Sequence, residues 1–112
     1  MFLDNMKIPL SLPPTTNNLY RHVGNIVYMT KEAKEWKREA QWLLKKGKPT
    51  DKEVEVFVYF YLTRDRDVDN LKLLIDSLQD TVICNDSQVK ALHIYKEKVK
   101  EKPHCEVEVN II

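Results

Sequence analysis

The sequence predicts a single small α+β domain: a mixed β-sheet with two helices, in the order β-β-α-β-α-β-β. Three stretches carry this reading. Residues 53–62 alternate with apolar groups on both sides, Val54, Val56, Val58, Phe60 and Leu62 on one face and Phe57, Tyr59 and Tyr61 on the other. Apolar character on both faces marks a central strand. Ala33, Trp36, Ala40, Leu43 and Leu44 recur at helical spacing, with Lys31, Lys34, Lys37, Arg38 and Lys45 mostly elsewhere around the helix. Cys105, Val107, Val109 and Ile111 alternate as a final strand.

The remaining elements follow from local signals. Residues 7–12 (KIPLSL) read as a short strand stopped by Pro13 and Pro14. Residues 15–24 are polar and turn-rich, and a turn at Gly24-Asn25 leads into a second short strand over 25–29. Thr30 suits the N-cap of the first helix, and Gly47 followed by Pro49 suits its end. Trp36 and Trp42 are expected to pack, with a place near a ligand as the alternative for either. Leu71, Leu74, Ile75 and Leu78 predict a second helix over 68–79. A loop over 80–87, a strand over 89–95 and a charged turn over 96–102 complete the order.

Bulk properties narrow the class. The 112 residues suffice for one domain, 1–112, with its own core. Hydrophobic content of 43% and charged content of 31% fit a globular chain. No apolar run approaches the ~20 residues that span a bilayer. Asp4 and Lys7 interrupt any signal-peptide core, and Cys84 and Cys105 form no metal or disulfide pattern, so a reducing cytoplasm is expected. The net charge is only +1, but it is unevenly spread. Residues 31–48 hold seven bases against three acids, and residues 90–102 hold five against two. Between them, residues 65–86 hold six aspartates against Arg66 and Lys72. Divalent cations in that acidic centre would leave a clearly basic molecule, although solvated charged faces give the same pattern.

The acidic centre begins at Asp65-Arg66-Asp67-Val68-Asp69-Asn70, directly after the central strand. Three readings compete. Aspartates favour helix N-termini, which accounts for one or two of the three alternating acids. Asp65, Asp67, Asp69, Asn70 and Asp76 fall on positions 1, 3, 5, 6 and 12 of a calcium loop, but Asn70 replaces its glycine, Asp76 its glutamate, and a strand precedes it. The third reading is a Mg²⁺ site for phosphodiester hydrolysis. In extended chain Asp67 and Asp69 face one side, Asp86 adds an acid from a nearby loop, and Lys72 follows a turn beyond Asp69.

Taken together, Asp67-Val68-Asp69-Asn70, Lys72, Asp76-Ser77-Leu78 and Asn85-Asp86-Ser87-Gln88-Val89 resemble the RusA family of Holliday junction resolvases. Pro13-Pro14, Asn17-Asn18 and Tyr20-Arg21-His22 resemble that family's opening segment. The resemblance runs from about Ile8 to the final strand. It implies a homodimeric, Mg²⁺-dependent endonuclease that recognises four-way junction DNA by shape. Such an enzyme nicks two strands symmetrically, in DNA recombination and repair, and leaves a 5′-phosphate and a 3′-hydroxyl. Asp67, Asp69 and Asp86 correspond to the family's catalytic, metal-holding acids, and Lys72 to its catalytic lysine.

Two departures stand out. Lys72 lies three residues after Asp69 where the family pattern has four, and Asn85 replaces the first acid of the later pair. The alternative is a junction-binding protein with a degenerate metal site. Asn17, Asn18, Arg21, Arg64, Arg66, Lys34, Lys37 and Arg38 are the candidate DNA contacts. His93 and His104 read as strand or surface residues, and Asp76 is expected to pair with Lys72 four residues before it.

Overall fold

The computed structural model describes residues 7–14, 20–23, 26–45, 47–64 and 71–112, with only the backbone at 20–23 and 26–28. The elements are β1 (Lys7–Leu10), β2 (Tyr20–Val23), β3 (Ile26–Met29), α1 (Lys31–Leu44), β4 (Val54–Leu62), α2 (Leu71–Leu78), β5 (Val89–Lys98) and β6 (His104–Ile111). A single 3-10 turn, Asp86–Gln88, leads into β5. The main sheet has the order β1-β6-β4-β5, and β2 with β3 forms a separate two-stranded ribbon. β4 runs parallel to β5 and antiparallel to β6, which makes the sheet mixed.

The predicted α+β class and element order are present, with one additional strand. Tyr20–Val23 pairs with β3, although the sequence there reads as turn. β1 ends at Leu10 and β5 continues to Lys98, three residues beyond the predicted strand. That extension comes from the parallel partner, since Phe60, Tyr61 and Leu62 pair with Lys96, Glu97 and Lys98. The described part of α2 starts at Leu71, and 68–70 lie outside the described residues.

β4 is central, between β6 and β5. One sheet face is the core: Val54, Val56, Val58, Phe60 and Leu62 of β4, Cys105, Val107 and Val109 of β6, and Ile8 and Leu10 of β1 are buried there. Each such side chain stabilises the fold by about 1.5–3 kcal/mol. Both helices join this core. α1 contributes Ala33, Trp36, Ala40 and Leu44, while α2 contributes Leu73, Leu74 and Leu78. Thr30 caps α1 as predicted, its Oγ1 accepting from the Ala33 amide at 3.2 Å. The helix ends at Leu44 rather than at Gly47, because Lys45 already has extended dihedrals. Trp36 is fixed by its indole N–H, which donates to the Ser11 carbonyl at 2.9 Å. Trp42 does not pack: it is 78% exposed, on the solvent side of α1.

The opposite sheet face carries a ladder of stacked rings. Phe57 stacks on His93, Tyr59 on Tyr95 and Tyr61 on His104, with centroids 4.4, 5.2 and 4.7 Å apart. The Lys7 ammonium sits 4.3 Å from the Tyr59 ring, a cation–π contact. Both histidines are therefore strand residues held by ring contacts, and His93 also meets Glu55 at 3.3 Å. β5 is an edge strand, with Leu92 and Ile94 about 40% exposed on the helix side.

Candidate functional site

The parallel β4–β5 pair has two ends, and the predicted site residues divide between them. At the carboxyl-terminal end, Leu62 is buried and Thr63 and Arg64 emerge into solvent. The Val99 amide donates to the Leu62 carbonyl at 2.8 Å, which carries the pairing one step past the strands. An open depression of about 450 Å³ lies here, lined by Leu62, Arg64, Lys96, Glu97 and Lys98. Three cations against one carboxylate make it basic. Ligands of sheets with parallel strands collect beyond the carboxyl ends of those strands. Residues 65–70 follow directly in the chain. Asp65, Arg66, Asp67 and Asp69 lie outside the described residues, as do Asn17 and Asn18, and the Arg21 side chain does too.

Lys72 stands exposed in the first turn of α2. It does not pair with Asp76 as expected: neither residue is in an ion pair among the described residues. The α2 end is instead stitched internally, with Ser77 donating to the Leu74 carbonyl and Thr81 to the Ser77 carbonyl. Asp80 then takes a left-handed conformation, φ 67°, that turns the chain back. Of the α1 candidates, Lys34 and Arg38 are exposed and Lys37 is half-buried.

Asp86 is at the other end of the pair. Val89, three residues later, is the register partner of Val54 at the start of β4. The nine residues of β4 span about 26 Å, so Asp86 and Arg64 stand at opposite ends of the sheet. The turn that presents Asp86 is tightly held. Asn85 caps it, its side-chain oxygen accepting from the Ser87 amide at 2.9 Å. The residue at the first position of the expected acidic pair thus works as a cap. Gln88 does more: its carbonyl oxygen accepts from the Cys84 and Asn85 amides, each at 2.8 Å. Its side-chain NH₂ donates to the Thr50 and Lys52 carbonyls, again at 2.8 Å each. Both lone pairs and both hydrogens of the carboxamide are used. Asp86 itself is exposed, and its carboxylate has no hydrogen-bond or ion-pair partner among the described residues.

Gln88 is the residue that sequence reasoning passed over. It appeared only inside the Ser-Gln-Val string, with no signal that its side chain would bridge two loops. Lys96 and Lys98 lie in a stretch whose sequence reads as a charged turn, and only the parallel register brings them beside Arg64. Among the described residues no three His, Cys, Asp or Glu side chains come together as a metal cluster.

The chain was compared with known proteins. The model of the family described as Endodeoxyribonuclease RusA matches residues 9–110, nearly the whole chain. The chain belongs to the RusA endodeoxyribonuclease family. Its match takes in both ends of the β4–β5 pair and everything between them. The RusA assignment makes the protein a DNA-cleaving nuclease. No curated protein matches the chain. Among the described residues, no helix is long and apolar enough to cross a membrane.

Proposed function

We propose that this protein is a Mg²⁺-dependent endonuclease that resolves four-way DNA junctions by paired nicks, acting as a homodimer. The match to the RusA family over residues 9–110 carries the reading. Asp67, Asp69 and Asp86 are the residues that hold the metal. The chemistry of this donor set fits: all are hard carboxylate oxygens, and Asp86 is exposed without a competing partner among the described residues. When bound, Mg²⁺ stabilises charge on the scissile phosphate and lowers the pKa of a water nucleophile. Lys72 offers a further positive charge to the phosphate. Arg64, Lys96 and Lys98, with Lys34, Lys37 and Arg38 of α1, hold junction arms through their phosphates.

A four-way junction presents two equivalent strands, which a two-fold dimer meets with two equivalent sites. In one arrangement of such a dimer each protomer supplies Asp86 to the Asp67 and Asp69 of the other. Mixing two variants tests this. Asp69→Asn and Asp86→Asn are each expected to bind a synthetic junction and to leave it uncut. Their mixture is expected to regain nicking, because one site of the mixed dimer keeps all three acids. A mixture that stays inactive counts against the shared site. An Asp69→Asn protein that cuts at the wild-type rate counts against the metal assignment itself. The one-residue offset of Lys72 favours the second reading, a junction binder that does not cut. Incubation of the wild type with junction DNA, with and without Mg²⁺, separates the two.

A further inference from the structure

α1 has an apolar side and a divided solvent side. With 100° per residue, Ala33, Trp36, Ala40 and Leu44 fall on the buried side. On the solvent side Lys34 and Arg38 occupy one flank, followed by Lys45 at the C-cap, and Glu35, Glu39 and Glu32 the other, with Lys31 paired to Glu35. Trp42 lies at the seam, four residues after Arg38, eight after Lys34 and three before Lys45. It is the most exposed large apolar side chain among the described residues, at 78%. Every other apolar residue of α1 is buried or packed against the core.

We propose that Trp42 and the basic flank of α1 form a DNA contact that takes an unstacked base at the branch point of a junction. The inference rests on the junction reading above and extends it to a residue with no part in the metal chemistry. Charge complementarity selects the occupant. An indole with Arg38 one turn before it, Lys45 three residues after it and Lys34 further along the same flank suits a polyanion, whereas protein interfaces deplete lysine. The acidic flank orients the contact, since duplex backbone is admitted on the basic side only. The indole face then selects bases. A flat aromatic ring stacks on any nucleobase, and arginine beside it adds to the contact. In intact duplex the bases are already stacked on one another. A branch point offers steps that open at lower cost, where an apolar wedge can enter.

Tryptophan emission provides the test, because Trp36 is 7% exposed and pinned to Ser11 and so serves as an internal reference. The full chain is titrated in EDTA with an immobile four-way junction and with linear duplex of the same sequence. Junction binding is expected to quench wild-type emission and to leave Trp42→Phe, which retains only Trp36, unmoved. Trp42→Ala is expected to weaken junction binding about tenfold and duplex binding less than twofold, with Trp42→Phe recovering part of the loss. Junction binding with unquenched wild-type emission would overturn the proposal. So would an equal loss on both DNAs, or a Trp42→Ala protein whose sedimenting mass falls, which would give this face to a second copy. A wild type that binds no junction at all would overturn the junction reading as well.

Discussion

At one end of the β4–β5 pair a single carboxylate, Asp86, sits on a turn fixed by four hydrogen bonds from Gln88. At the other end Arg64 and Lys98 reach from the ends of strands into an open depression shared with Lys96 and Glu97. The first end holds few groups and holds them rigidly; the second holds several on long, flexible side chains. The difference fits the two roles proposed above, metal holding and phosphate contact. A small cation with strict octahedral geometry needs its ligands held to within a fraction of an ångström. A phosphate backbone is met well enough by cations that adjust to it.

The comparison breaks most sharply at Gln88. Replacing it with alanine removes all four bonds and frees the 84–88 turn from Thr50 and Lys52. Residues that orient a metal ligand are worth about 10–100-fold in metal affinity or activity, and a loss of that size in cleavage is expected for Gln88→Ala, with junction binding within twofold. Calorimetric titration with Mg²⁺ should show the same weakening. If Gln88→Ala retains wild-type cleavage, the rigid end has no catalytic importance. The basic end is expected to respond differently. Arg64→Ala, Lys96→Ala and Lys98→Ala should each weaken binding several-fold and reduce the salt slope by about one. Cleavage at saturating protein should be unchanged. A fall in that saturated rate would move these cations from binding into the chemistry.

The smallest expected effect is on stability at alkaline pH, and it concerns the strands beneath the basic end. The Tyr61 hydroxyl is pushed up to about 12, first by its hydrogen bond to Glu106 and then by burial. Burial, with a contribution from Glu106, likewise pushes the Cys105 thiol up to about 12. The folded state binds both protons more tightly than the unfolded chain does, so the stabilisation is complete below about pH 9 and is lost as pH rises toward 12. The melting temperature should therefore fall between pH 8 and pH 10.5. Tyr61→Phe should flatten part of that slope, and an unchanged slope would show that the Glu106 bond does not persist in solution.

The elements that were legible in the sequence are those whose burial imposes a period. The buried face of β4, the alternation of β6 and the apolar stripe of α1 each leave a trace that one chain shows unaided. β2 leaves none, because Tyr20–Val23 is held by its pairing with β3 and its sequence does not alternate. The carbonyl partners of Gln88 lie 38 and 36 residues away in the chain, a relation that no local pattern contains. Trp42 misled for the opposite reason. Tryptophan is usually at least partly buried, yet helical phase alone puts this one on the solvent side of α1. The acidic block was visible as chemistry. The separation of Arg64 from Asp86 was not, because parallel register follows from the crossover through α2.

The edge position of β5 has a consequence for handling the protein. A ten-residue strand with an unpaired outer edge and exposed Leu92, Ile94 and Tyr95 is a template on which further copies can grow. Lys90 stands before that apolar centre, and Lys96 and Lys98 stand after it. Any stacking of strands edge to edge brings these lysines near one another, and their repulsion limits growth. The cations proposed above to meet phosphate are thus expected to oppose aggregation as well. Charge-removing variants at Lys96 and Lys98 should therefore be purified dilute and compared at matched monodispersity, or clumping will pass for lost DNA affinity.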